Sequence, residues 1–126
     1  MKTRIILSAL LLTACLTSLA WADGRISGNI SYKDCNCHVD DLVCIRPVSG
    51  GACQYFPVVC SPGPGYTTYP NTIPPGTYYI YVVPHEGSDC TGGSPIQGFV
   101  HGSSNDQFNI TICGPEGGGS RPEPGP

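Results

Sequence analysis

Pro74-Pro75-Gly76-Thr77-Tyr78-Tyr79-Ile80-Tyr81-Val82-Val83 decides the fold. From Thr77 to Val83 every residue is aromatic or β-branched, the composition that suits a pleated, half-buried strand. The Pro-Pro-Gly ahead of it reads as a turn. Proline presets the first turn angle, and Gly76 is expected to supply a positive φ. Successive side chains of a strand point to opposite faces. Tyr78, Ile80 and Val82 therefore form the core face, and Tyr79 and Tyr81 the other. With Tyr66 and Tyr69 upstream, Tyr79 and Tyr81 make an expected exposed aromatic strip that can stack on a carbohydrate or a protein partner. The competing reading is cross-strand packing within the sheet.

Strand signals recur on both sides of this segment. Arg25 to Tyr32 alternates, with Ile26, Gly28, Ile30 and Tyr32 on one face. Leu42 to Val48 is a second candidate. Cys53 to Cys60 is a third, which Pro57 demotes to an edge or a bulge. Tyr66 to Ile73 is a weak fourth. Gln107 to Cys113 alternates again through Phe108, Ile110 and Ile112. Glycine and proline punctuate the chain every few residues, and no window carries the apolar spacing of a helix. The pattern predicts an all-β protein, a small antiparallel β-sandwich.

The opening "ISGNISY" (Ile26 to Tyr32), the central "IPPGTYYIYVV" (Ile73 to Val83) and the closing "FNITI" (Phe108 to Ile112) resemble the bacterial carboxypeptidase-regulatory-like, or transthyretin-like (prealbumin-like), β-sandwich domains. Gly28 matches the glycine of that family's first strand, and Gly76 and Tyr78 match the glycine and tyrosine of its hairpin. The "T-D-x-x-G-x-Y/F" strand that usually precedes the hairpin is not recognisable, and the family is not cysteine-rich. The resemblance implies a transthyretin-like or Ig-like sandwich with an accessory role at surfaces, and no active site to carry over. A fold does not by itself give a function.

The N-terminus places the protein. Lys2 and Arg4 precede an apolar run from Ile5 to Leu19, which ends in the small-x-small site Ala20-Trp21-Ala22. This is a secretory signal pattern, residues 1–22, cut before Asp23 and too short for a membrane span. Leu12-Thr13-Ala14-Cys15 also resembles a lipobox, in which Cys15 is lipidated and the domain is tethered to a membrane. The expected location is secreted or periplasmic, as a membrane-anchored lipoprotein if Cys15 is used.

Cleavage leaves 104 of the 126 residues. Residues 23–113 form the expected β-sandwich domain, and 114–126, GPEGGGSRPEPGP, the expected disordered Gly/Pro-rich tail. Four basic residues (Arg25, Lys33, Arg46, Arg121) face nine acidic ones (Asp23, Asp34, Asp40, Asp41, Glu86, Asp89, Asp106, Glu116, Glu123), a formal net charge of −5. An acidic surface without a basic cluster argues against nucleic acid and anionic lipid as partners.

The seven remaining cysteines are Cys35, Cys37, Cys44, Cys53, Cys60, Cys90 and Cys113. Outside the cytoplasm they are expected to form three disulfides and leave one thiol, which stays buried or joins two chains covalently. Extended, Cys35 and Cys37 face the same side and do not bond each other readily. Cys44 with one of them, Cys53 with Cys60, and Cys90 with Cys113 are the local guesses among many connectivities. The alternative is an extracytoplasmic metal or redox site built from Cys35, Cys37, His38 and Cys44. Its C-x-C-H spacing is not that of a zinc ribbon. Asp34, Asn36, His38 and Asp40 imitate a calcium loop, but Val39 and Ile45 stand where glycine and glutamate are needed.

No nucleophile elbow, H-E-x-x-H or phosphate loop occurs, and no cofactor motif. His85 reads as a loop partner of Glu86, and His101 as part of a Gly/Ser loop. Asn29-Ile30-Ser31 and Asn109-Ile110-Thr111 match the glycosylation pattern but fall inside predicted strands. The sequence thus points to a non-catalytic binding or structural module at the cell surface. Self-assembly into a filament or surface layer is a further alternative.

Overall fold

The computed structural model describes residues 23–115. The expected signal segment with Cys15, and residues 116–126 of the expected tail, lie outside the described residues. Eight strands follow in order: β1 (Ile26–Lys33), β2 (Leu42–Pro47), β3 (Gln54–Pro57), β4 (Gly65–Thr67), β5 (Gly76–Val83), β6 (Gly98–His101), β7 (Asp106–Gln107) and β8 (Ile110–Cys113). The described residues contain no helix. The strands form two sheets. In one, β1 lies between β4 on one side and β7 and β8 on the other; the second has the order β3-β2-β5-β6.

The all-β sandwich read from the sequence is the fold observed, with one topological difference. β1 runs parallel to both β7 and β8, in a single register from Ile26 opposite Asp106 to Lys33 opposite Cys113. All other strand pairs are antiparallel. Two asparagine side chains complete the parallel ladder. Arg25 N–H donates to Asn105 Oδ1 at 2.9 Å, and Asn29 N–H to Asn109 Oδ1 at 3.0 Å. The Phe108 carbonyl is thereby left to turn toward Gly28, where a Cβ would collide with it, and to accept the Tyr66 hydroxyl at 2.7 Å. Gly28 is required by this close approach.

The core follows the alternation. Ile26 and Ile30 of β1, Val43 and Ile45 of β2, Phe56 of β3, Tyr78, Ile80 and Val82 of β5, and Ile110 and Ile112 of β8 pack between the sheets. Burying each such side chain contributes roughly 1.5–3 kcal/mol. Pro57 sits, as expected, on an edge strand.

Three local expectations change. The Tyr66–Ile73 strand shrinks to β4, because Thr68 turns its hydroxyl to accept Ile26 N–H (3.1 Å), and Ile73 instead bridges Gly24. Gly76 does not take a positive φ; Gly50, Gly51, Gly87 and Gly93 do. Gly76 is already in the ladder opposite His101, and the turn before it is held by the Tyr78 hydroxyl donating to the Pro74 carbonyl (2.6 Å). Gly114, expected in the tail, is buried and donates to the Lys33 carbonyl (2.8 Å).

Candidate functional site

The cysteines organise one end of the sandwich. Cys35 bonds Cys90, Cys37 bonds Cys60, and Cys44 bonds Cys53, leaving Cys113 as a buried free thiol. The count of three disulfides and one spare is as expected. Neighbouring Cys35 and Cys37 part to different partners, also as expected. The Cys53–Cys60 and Cys90–Cys113 guesses and the pairing of Cys44 with Cys35 or Cys37 are corrected. The reason is register: Cys44 lies opposite Tyr55, which brings Cys53, at the entry to β3, across from β2. Cys60 is carried past β3 toward Cys37.

This map also corrects the metal alternative. Cys35, Cys37 and Cys44 belong to three separate disulfides, so their thiolates are spent. Cys35, Asp89 and Cys90 come together, but two of the three are joined to each other. Asp89 is engaged by Asn36, which donates through its backbone (3.2 Å) and its side chain (3.0 Å). The calcium-like spacing is therefore a structural loop.

The centre of this end is Asp41, which is fully buried just before β2. Its Oδ2 accepts the Tyr32 hydroxyl (2.9 Å) and His38 N–H (3.1 Å), and its Oδ1 accepts His85 N–H (2.9 Å) and pairs with His85 Nδ1 (2.7 Å). Burial alone would raise the Asp41 pKa. The hydrogen bonds from His85, Tyr32 and His38 outweigh it and hold the carboxyl below the usual carboxylate range. Burial, together with this carboxylate, pushes the Tyr32 hydroxyl well above the usual tyrosine value.

The His38 and His85 rings stack at 4.1 Å between centroids, 25° apart. His38 Nδ1 accepts Asp40 N–H (3.0 Å), which puts the proton of its neutral form on Nε2. His85 Nδ1 is held by Asp41, so its Nε2 is the nitrogen left for a ligand. His85 lines an open groove of about 380 Å³ with Pro84, Gly87, Ser88, Cys90, Thr91, Gly92 and Gly93. Ser88 Oγ accepts Cys90 N–H (3.0 Å) and stands as a fixed polar group, not as a partner of His85. The groove offers imidazole, hydroxyl and backbone groups on a frame held by two disulfides, an arrangement suited to hydrogen-bonding a polar ligand.

Sequence reasoning gave His85 to Glu86 and left Asp41 in a solvated acidic loop. The signal it lacked was pairing. Leu42 lies opposite Val83, which brings Asp41 to the exit of β5 and so to His85. His101 is likewise not a loop residue. It ends β6 and is buried, with Nδ1 at 2.7 Å from Asp106 Oδ2 and Nε2 at 2.9 Å from the Ile73 carbonyl. It ties β6 to the Gly24–Ile73 bridge and to β7.

The expected tyrosine strip does not form. Tyr66 is buried, and burial pushes its hydroxyl well above the usual tyrosine value. Tyr81 is on the outward side of β5 yet only 3% exposed. The Cys44–Cys53 disulfide crosses this side, with Cys53 Sγ at 3.6 Å from the Tyr81 hydroxyl. Tyr79 is half-buried on the same sheet, while Tyr69 belongs to the other side of the molecule, its ring 4.6 Å from the Arg25 guanidinium. Compared with known proteins, the chain matches no family model, no curated protein and no solved structure.

Proposed function

We propose that this protein is an extracytoplasmic, non-catalytic binding module that recognises a protein or carbohydrate partner at the cell surface through its disulfide-clamped loop end. One observation carries the reading. Two of the three disulfides and the buried Asp41 tie the same loops together, spanning residues 34–41, 60 and 84–93. Loops fixed before binding lose little entropy on binding, which is where preorganisation gains affinity. Binding residues commonly sit on loops positioned by a rigid scaffold.

The rest of the chain agrees with this role. Three disulfides in a small domain suit an oxidising compartment. The signal pattern of residues 1–22 would deliver it there, secreted or periplasmic, or lipid-anchored through Cys15. The resemblance to transthyretin-like surface accessory domains points the same way.

A photo-crosslinking side chain placed at Thr91, on the groove, and at Thr67, on the β4 edge, tests the proposal in the producing cell. Adducts to a partner from position 91 and none from position 67 are expected. Adducts only from position 67, equal adducts from both, or none from position 91 would overturn it.

A further inference from the structure

The outer face of the β3-β2-β5-β6 sheet lies apart from the loop-end groove. Its inward side chains fill the core, and its outward ones include Leu42, Val48, Tyr55 and Val100. These are four of the seven large hydrophobic side chains exposed among the described residues, with Val100 at 74% and Tyr55 at 55%. The charge on this face is Arg46, whose guanidinium lies over the Tyr79 ring at 5.8 Å. The four strands contain no carboxylate: all seven acidic residues of the described chain lie outside them.

We propose that a second copy of this chain docks here, sheet face against sheet face about a two-fold axis. Copies of an acidic protein repel one another. On this face they can meet without a carboxylate opposing its mate, and the desolvated side chains are apolar. A two-fold axis presents the same patch from both sides, and sheets stack face to face at about 10 Å. Four strands of about six residues make a patch roughly 15–19 Å by 20 Å. This is small against the roughly 800 Å² per partner of a standard interface, so the dimer forms reversibly and only at high concentration.

The test is sedimentation velocity of the oxidised mature chain, residues 23–126, from low micromolar to millimolar, at low and high salt. The sedimentation coefficient should rise toward that of a dimer with concentration, and more so at high salt, which screens the repulsion. Val100→Glu puts a carboxylate on the patch and should weaken association about tenfold or more. Tyr69→Glu, an exposed change away from the patch, should leave it unchanged. Near-UV circular dichroism confirms that both variants are folded. A monomer at every concentration, a dimer indifferent to Val100→Glu, or equal loss in both variants would overturn the proposal. So would a dimer that survives denaturing electrophoresis and disappears with reductant, which would assign association to Cys113.

Discussion

Asp41 shows how much of this molecule rests on single side chains placed by strand register. Four hydrogen-bond donors converge on its two oxygens. Asparagine in its place presents an amide where an acceptor is needed, leaving buried donors unsatisfied. Asp41→Asn should cost about 2–4 kcal/mol, read as a lower thermal midpoint. The carboxyl titrates below its unfolded value, so its contribution is present above about pH 4 and is lost as the pH falls through the folded value. In acid titrations followed by circular dichroism, Asp41→Asn should flatten this acid limb. Gly28→Ala is the backbone counterpart. Its Cβ meets the Phe108 carbonyl that Tyr66 holds, so the substitution should destabilise by about 1–3 kcal/mol in chemical denaturation. The glycine was visible in the sequence, but its reason was not. The collision is with a residue 80 positions away, brought alongside by the parallel pairing of β1 with the last strands.

Among elements, alternation was legible wherever a strand has one apolar face. Ile26 and Ile30, then Tyr78, Ile80 and Val82, then Ile110 and Ile112 all face the core as their spacing predicts. Tyr81 was misread because periodicity assigns a face, not what covers it, and a disulfide covers this one. The histidine and aspartate of the loop end stand 44 residues apart and meet through antiparallel register, which no local spacing encodes. Covalent links between elements give a ranked prediction. The loops closed are 55, 23 and 9 residues long for Cys35–Cys90, Cys37–Cys60 and Cys44–Cys53. Loop-closure entropy assigns them roughly 4, 3.4 and 2.6 kcal/mol. Paired Cys→Ala variants, compared by chemical denaturation, should lose stability in that order. The Cys44→Ala/Cys53→Ala pair should in addition expose Tyr81, raising its accessibility to tyrosine-modifying reagents.

At the scale of the whole molecule, a modest core between two sheets is supplemented by three crosslinks, as small extracytoplasmic domains require. The covalent frame divides the surface into a clamped loop end with a polar groove and a sheet face whose strands carry no carboxylate. Everything said of the loop end depends on Cys35 and Cys37 parting to Cys90 and Cys60. The direct measurement is disulfide mapping of the oxidised protein from its native source. Proteolysis without reductant is followed by electron-transfer fragmentation, because only Asn36 separates Cys35 from Cys37. The account predicts Cys35–Cys90, Cys37–Cys60 and Cys44–Cys53, with an alkylatable Cys113 thiol only after unfolding. Cys53–Cys60 or Cys90–Cys113 in the folded protein would release the loops from one another and contradict it.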